Sequence, residues 1–256
     1  MLQIAQLPAL SDNYIYLVND AASGSTAVVD PADPAPVLAA LAARGWRLTH
    51  ILNTHHHYDH VGGNEALQAA TGCTIVGPAA DRDRIPGIQL ALADGDNFHL
   101  GSAKATIFDV PGHTRGHIAY WFAEDQALFC GDTLFALGCG RMFEGTAPQM
   151  WASLSKLRAL PPETRVYCAH EYTQSNARFA LSVEPGNAAL VARAADIDRK
   201  RAANLPTVPS TIGEELATNP FLRPDSPEIR HCFQLPDAAL HEVFGATRAA
   251  KDSFRA

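Results

Sequence analysis

Four potential metal ligands lie within six residues of one another, directly after an apolar run. They are His55, His57, Asp59 and His60. Imidazole and carboxylate groups packed this closely repel or desolvate one another unless a cation lies among them. His55 and His57 are two residues apart, which places both on the same side of an extended segment, so the intervening His56 need not be a ligand. The sequence therefore predicts that the chain is built around a metal centre.

Three further ligand-type residues each follow a predicted strand in the same way. His55 follows the predicted strand 48–54. The three further pairs of strand and residue are 106–110 with His113, 127–130 with Asp132 and 165–168 with His170. Layered α/β proteins build their sites at strand ends, so we expect these residues to converge on one edge of a sheet.

Seven candidate ligands exceed the three or four protein ligands of a single metal, so the sequence predicts two metals that share one ligand. Asp132 is the predicted bridge. The predicted assignment gives His55, His57 and His113 to one metal, and Asp59, His60 and His170 to the other. A lone histidine is more often structural. That role is predicted for His50, His56, His99, His117, His231 and His241, with His56 also a candidate for supporting a ligand.

Length, hydrophobic content and net charge indicate an ordinary globular protein. The 256 residues are 47% hydrophobic and 18% charged, enough for one large domain or for a domain with an appendage. A net charge of −7 argues against nucleic acid or an anionic membrane as a partner. The N-terminus has neither the pattern of a signal peptide nor that of a spanning helix, so we expect a cytoplasmic protein. The sequence carries no signal for an oligomer, and a monomer is the expectation. The five cysteines contain no CxxC motif, which suggests neither a disulfide framework nor a thiolate zinc site.

Strand and helix patterns alternate over the first two-thirds of the chain, which favours a layered α/β fold. Helices are predicted at 34–44, 65–70 and 149–160, and further helical segments at 188–204 and 236–250. The β-prone runs stop after residue 172. We therefore predict a metal-binding catalytic domain over residues 1–171 and a helical region over 172–256.

Several longer motifs carry a resemblance to a known family. They are THHHYDH at 54–60, GDTLF at 131–135, GCGR at 138–141, FEGT at 143–146, HEYT at 170–173, VEPGN at 183–187 and PSTIGEELATNPFLR at 209–223. With them the chain resembles the metallo-β-lactamase superfamily and, more closely, glyoxalase II, the hydroxyacylglutathione hydrolases. The resemblance covers essentially the full length. It implies an αββα sandwich with a C-terminal helical region that binds glutathione.

The same resemblance implies a binuclear metallohydrolase in the pathway of methylglyoxal detoxification. Its reaction is the cleavage of S-D-lactoylglutathione, a 2-hydroxyacylglutathione, to D-lactate and glutathione by a metal-bound hydroxide. The implied cofactors are two divalent ions, zinc foremost, with iron or manganese as alternatives. Asp59 and Asp132 take catalytic roles, and Asp59 holds its metal and orients the hydroxide. The leaving thiolate has a conjugate acid of pKa about 8.5 and needs no dedicated general acid.

Contacts to glutathione also carry over from the family. They are Arg141, Phe143, Tyr172, Asn176, Arg248 and Lys251. Glutathione has two carboxylates, so an acidic protein that binds it needs local cations, which Arg141, Arg248 and Lys251 could supply. Phe143 departs from the tyrosine that the family commonly has there, and it lacks that hydroxyl group.

Three other functions compete with this interpretation. A glutathione-persulfide dioxygenase of the same superfamily uses one iron and a similar motif. A lactonase or β-lactamase has no need of the cationic residues. A non-catalytic metal-binding protein would close its coordination shells, whereas seven ligands around two metals leave a position for water.

Overall fold

The computed structural model describes residues 1–255 and groups the chain into two compact units. The first unit comprises Met1–Val110 and Arg115–Gly131, and the second comprises Pro111–Thr114 and the chain from Asp132 onward. Three of the seven candidate ligands therefore belong to the second unit. The boundary that the sequence predicts near residue 172 divides the chain by function, and it stays a prediction.

The first sheet of the first unit has six strands in sequence order. They are β1 (Leu2–Ala9), β2 (Asn13–Asp20), β3 (Ser25–Val29), β4 (Arg47–Leu52), β5 (Thr74–Pro78) and β6 (Leu90–Leu92). Strands β1 to β3 are antiparallel, and β3 to β6 are parallel. The parallel part needs crossover helices, which are α1 (Pro34–Arg44), α2 (Tyr58–Val61) and α3 (Asn64–Thr71). Every residue of β2 is buried, as expected for a strand covered on both faces.

Local chemistry defines helix α1 at both ends. The Asp33 side chain accepts a hydrogen bond from the Ala35 amide at 2.9 Å, and Pro34 occupies the first turn, where no amide donor is needed. Gly45 ends the helix with a φ of 65°, a left-handed conformation that costs glycine little. The predicted bounds of this helix are confirmed.

A second sheet faces the first within the same unit. Its strands β7 (Asn97–Leu100), β8 (Ala103–Asp109), β9 (Ile118–Phe122) and β10 (Ala127–Gly131) form an antiparallel meander. The ring of Tyr16 on β2 lies 5.6 Å from that of Phe129 on β10, and the Tyr120 hydroxyl donates to the Asn53 carbonyl at 2.9 Å. The ligand-type residues thus follow strands of two facing sheets. The expectation of one sheet edge was wrong, because β4 is a central strand of the first sheet and β8 and β10 are strands of the second.

The second unit is mainly helical. Its elements are a hairpin of β11 (Leu134–Phe135) and β12 (Gly138–Cys139), α4 (Ala147–Arg158), β13 (Arg165–Cys168), α5 (Thr173–Val183), α6 (Ala188–Ala202), β14 (Ser210–Thr211), α7 (Ile212–Thr218), α8 (Pro227–Cys232) and α9 (Leu240–Ser253). Short β14 pairs with β13, so strand structure does not stop at residue 172 as predicted. Helix α9 begins four residues later than predicted, because the Arg230 guanidinium takes the carbonyls of Leu235, Pro236 and Ala238 as acceptors.

The cysteines of the described residues form no disulfide, as the sequence predicts. Cys130 and Cys168 are buried, and burial raises the pKa of Cys168 to about 12. No helix within residues 1–255 is long and apolar enough to cross a membrane.

Asp20 ties two turns of the first unit together. Its carboxylate accepts from the Ser102 amide at 2.8 Å, the Ser102 hydroxyl at 2.9 Å and the Ser23 hydroxyl at 2.7 Å. These donors, the Ser102 amide first, hold the pKa of Asp20 well below its ordinary value. The folded pKa is thus lower than the unfolded one, so the stabilisation is present above pH 4 or so and is lost as the pH falls.

We predict that Asp20→Asn lowers the free energy of unfolding by about 2 kcal/mol at pH 7, since charge-assisted hydrogen bonds are lost. The difference from the parent protein should shrink as the pH falls below about 4. Thermal unfolding at pH 7 and pH 3 measures both. Asp83→Asn, at an exposed carboxylate, is the control and should leave Tm unchanged. Equal Tm values for the Asp20 variant and the parent at pH 7 would contradict the prediction.

Candidate metal centre

The four ligand-type residues of the first unit form two close pairs just beyond β4. His55 Nε2 lies 3.1 Å from His57 Nδ1, and His60 Nε2 lies 3.6 Å from Asp59 Oδ2. Two ligands bound at about 2.1 Å to one tetrahedral ion lie about 3.4 Å apart. Each pair therefore has the spacing that a shared cation requires. The donors are nitrogen and oxygen atoms, which suit divalent Zn, Fe and Mn.

The second unit contributes one carboxylate between two imidazoles. His113 Nε2 lies 3.3 Å from Asp132 Oδ2, and His170 Nε2 lies 3.4 Å from Asp132 Oδ1. A different carboxylate oxygen therefore faces each histidine. A carboxylate with this arrangement could hold one metal ion through each oxygen.

Asp30, which follows β3, fixes the histidines of the first unit. Its carboxylate accepts from His60 Nδ1 at 3.0 Å, from the Thr54 amide at 2.8 Å and from the Thr54 hydroxyl at 2.7 Å. Since the Thr54 hydroxyl hydrogen is used in this way, its oxygen accepts from His55 Nδ1 at 3.1 Å. The Nε2 atoms of His55 and His60 are thereby left with their lone pairs for a metal.

Sequence reasoning missed Asp30, although its position carried a signal. It is a carboxylate at the end of a β-prone run, and in the structure it directly follows β3, as Asp132 follows β10. Asp30, His55 and His60 offer ligand atoms within 4.8 Å of one another, but the Asp30 oxygens are already engaged by Thr54 and His60. Asp30 therefore orients ligands and takes no place among them.

A backbone carbonyl performs the same task for His113. Its Nδ1 donates to the Arg141 carbonyl at 2.9 Å, which leaves Nε2 facing Asp132. The chain passes so close here that a β-carbon on Gly140 would collide with the Asp132 carbonyl oxygen. Glycine is therefore required at this position for steric reasons.

His56 and His117 take the structural roles that the sequence predicts. His56 Nδ1 lies 2.9 Å from Oδ2 of buried Asp81, whose other oxygen accepts from Arg84. The ring of His117 stacks on that of His55, with 4.6 Å between centroids. His56 thus supports the ligand loop from outside. Asn13 does so as well, since its amide donates to Asp59 Oδ2 at 3.2 Å.

Three of the predicted substrate contacts have exposed side chains near the second-unit ligands. Tyr172 stacks on His170 with 4.7 Å between ring centroids and 1° between planes. The Phe143 ring meets His113 edge to face at 5.2 Å and is 63% exposed. The Arg141 side chain is also 63% exposed and lies 3.6 Å from Asp252. These side chains are available to a ligand.

The other three predicted contacts are engaged within the protein. Buried Arg248 donates to the Cys139 carbonyl at 2.8 Å and to Asp252 at 3.1 Å, and buried Asn176 donates to the Ala136 carbonyl at 3.1 Å. The Lys251 ammonium donates to the Ser175 carbonyl and hydroxyl at 3.2 and 3.1 Å. Burial, assisted by the two nearby arginines, lowers the pKa of Lys251 to about 8.

Comparison with known proteins agrees with this fold and donor set. The family described as the metallo-beta-lactamase superfamily matches residues 10–170. The chain therefore belongs to that superfamily, and the predicted αββα fold class is confirmed.

Residues 171–254 match the family described as hydroxyacylglutathione hydrolase C-terminus. A hydroxyacylglutathione hydrolase of Methylococcus capsulatus is 65% identical over the whole of both chains. Within the superfamily, this protein belongs to the hydroxyacylglutathione hydrolase family. Similar solved structures include ETHE1 from Myxococcus xanthus, 26% identical over 97% of each chain with a TM-score of 0.68, and TTHA1623 in a di-iron-bound form, 27% identical over 86% of this chain and all of that one, with a TM-score of 0.61.

We predict that His55→Ala and Asp132→Ala each lower the amount of metal bound per chain and reduce thioester hydrolysis at least a thousandfold. His55 pairs closely with His57, and Asp132 lies between His113 and His170. Each substitution removes a metal donor that no other side chain of its group can replace. Metal quantification and turnover on the same sample measure the effect. His99→Ala, at an exposed histidine, is the control. Full metal occupancy with parental turnover in either ligand variant would refute the assignment.

Proposed function

We propose that the protein hydrolyses the thioester bond of S-D-lactoylglutathione to give D-lactate and glutathione. The observation that carries the proposal is the Asp132 carboxylate, which presents one oxygen to His113 and the other to His170. The match of residues 171–254 to the hydroxyacylglutathione hydrolase C-terminus supports glutathione as the thiol component. The substrate is thus a small molecule, and we propose that a single chain in the cytoplasm is sufficient to convert it.

Seven residues would hold two divalent ions, zinc foremost. His55, His57 and His113 would hold one ion, Asp59, His60 and His170 would hold the other, and Asp132 would be shared by both. Such ions would supply a water that is ionised near neutral pH and an electrophile for the thioester carbonyl. The close pairs at 3.1 and 3.6 Å in the first unit support this division of the ligands.

The protein's own residues bind and orient the reactants in the proposed reaction. Asp59, held by the Asn13 amide, orients the nucleophilic water, and Asp132 keeps the two histidines beside it in register. Exposed Arg141 and the Lys251 ammonium pair with the glutathione carboxylates. The C–S bond breaks to release a thiolate, which leaves without a general acid because its conjugate acid has a pKa of about 8.5.

The dioxygenase alternative is less well supported. The chain is 65% identical to a hydroxyacylglutathione hydrolase over the full length of both chains. The described chain also offers two close ligand pairs and a two-sided carboxylate, which is more than the one iron of the alternative needs.

We expect the metal-loaded protein to hydrolyse S-D-lactoylglutathione with two metal ions per chain. The assay follows loss of the thioester by its ultraviolet absorbance, alongside metal quantification on the same sample. An acyl thioester of a thiol without the glutathione carboxylates is the matched control, and it should react with a much higher KM. Oxygen consumption with glutathione persulfide, together with one iron per chain and no thioester hydrolysis, would favour the dioxygenase.

The lowered pKa of Lys251 predicts a pH dependence of binding. The ammonium loses its proton as the pH rises through about 8, so its attraction for a glutathione carboxylate weakens. We expect KM for the thioester to rise severalfold between pH 7 and pH 9. In Lys251→Arg the guanidinium stays charged, and this rise in KM should disappear. An unchanged pH profile of KM in that variant would show that Lys251 does not bind the substrate.

A further inference from the structure

The hairpin of β11 and β12 joins the bridging carboxylate to the backbone that orients His113. Asp132 lies two residues before the hairpin and Arg141, whose carbonyl holds His113 Nδ1, lies two residues after it. The two ends are held together, since the Gly140 amide donates to the Thr133 carbonyl at 3.3 Å. A displacement of the hairpin would therefore move two metal-ligand positions at once.

The tip of this hairpin is buried in the helical part of the second unit. Leu137 is fully buried and has a φ of 56°, a left-handed conformation that is unfavourable for leucine. Its side chain packs in a hydrophobic cluster with residues of α5 and α6. The cluster consists of Leu137, Ala177, Ala180, Leu190, Ala194 and Ile197. Surrounding contacts must maintain such a conformation.

Two side chains of the α7 region satisfy the polar backbone groups of the tip. Glu215 Oε2 accepts from the Leu137 amide at 2.9 Å. The Asn219 amide donates to the carbonyls of Phe135 at 3.1 Å and Gly138 at 3.0 Å, and also to Glu215 Oε2 at 2.9 Å. Both residues are fully buried.

Arg193 on α6 completes this group from behind. Its guanidinium donates to Glu215 Oε1 at 2.5 Å and to the Thr218 hydroxyl at 2.6 Å. A buried ion pair adds little net stability, because desolvation offsets its attraction. The ion pair with Arg193 does fix the orientation of the Glu215 carboxylate, because a carboxylate oxygen accepts hydrogen bonds along preferred directions.

We propose that Glu215 and Asn219 are positioning residues for the metal centre. They hold the β11–β12 hairpin and thereby fix the positions of Asp132 and His113 relative to each other. The inference rests on the ligand assignment of the proposed function. It gives the C-terminal helical region a second task besides binding glutathione, namely the placement of metal ligands that lie some eighty to one hundred residues earlier in the chain.

Glu215→Gln tests the proposal in the full-length protein. The amide retains the shape of the side chain but loses the charge that Arg193 and the Leu137 amide both contact. We expect zinc affinity, measured by competition with a chromophoric chelator, to fall about tenfold, the lower end of the effect of direct contacts to metal ligands, because Glu215 acts on the ligands through the hairpin. Hydrogen exchange of the Leu137 amide in the metal-free protein should accelerate at least tenfold.

Glu184→Gln is the matched control. Glu184 is also a buried glutamate of the second unit that pairs with an arginine, Arg223 at 2.8 Å, and it accepts from the Ser226 hydroxyl. It has no contact with the hairpin among the hydrogen bonds of the described residues. We expect this variant to lose thermal stability while zinc affinity and Leu137 exchange stay at parental values.

Asn219→Ala provides a second test if Glu215→Gln does not fold, because it leaves the Glu215–Arg193 pair in place and removes the contacts to Phe135 and Gly138. Parental zinc affinity in a folded variant of either residue overturns the proposal. So does an equal loss of zinc affinity in Glu184→Gln, which would mean a general effect of stability. If the parent protein itself binds no zinc and hydrolyses no thioester, the proposed function fails instead.

Discussion

Hydrogen bonds to the outer nitrogens of three candidate ligand imidazoles, those of His55, His60 and His113, are the interactions on which this site depends. An imidazole presents a lone pair to a metal in a defined direction only if its second nitrogen has an acceptor. Asp30 provides this for His60 directly and for His55 through Thr54, while the Arg141 carbonyl provides it for His113. The ligands are thus oriented by the fold.

Because the imidazoles need these acceptors, the sheets of the first unit alone do not account for the orientation of all the candidate ligands. His113, Asp132 and His170 belong to the same compact unit as the C-terminal helices. Asp132 and the Arg141 carbonyl flank a hairpin whose tip is packed and hydrogen-bonded by α5, α6 and α7. In the proposed function the helical unit would therefore help to place metal ligands as well as bind the thiol part of the substrate, and the two tasks would share residues. Asn176 and Arg248 come from the predicted glutathione contacts, yet both donate to the hairpin backbone.

The elements with self-contained signals were predictable. Helix α1 has its own cap, proline and terminal glycine, and the bounds of β13 also match the prediction. Strand β1 gave no comparable signal, because its residues are mostly only partly buried and polar side chains interrupt the apolar ones. The start of α9 was misplaced because the Arg230 side chain, from the preceding helix α8, takes the backbone carbonyls just before α9 as acceptors. Asp30 was missed because a carboxylate that orients a ligand looks, in sequence, like any acidic residue after a strand.

The sequence by itself determined the kind of chemistry. Clustered imidazoles and carboxylates after β-prone runs specify nitrogen and oxygen ligands for divalent metals, since donor type depends on the side chain alone. Only the tertiary structure decided which atom of each ligand is presented, that Asp132 turns one oxygen to His113 and the other to His170, and that Glu215 reaches the Leu137 amide. Those features are directions and distances between residues far apart in the chain, and they exist only once the sheets and helices have packed.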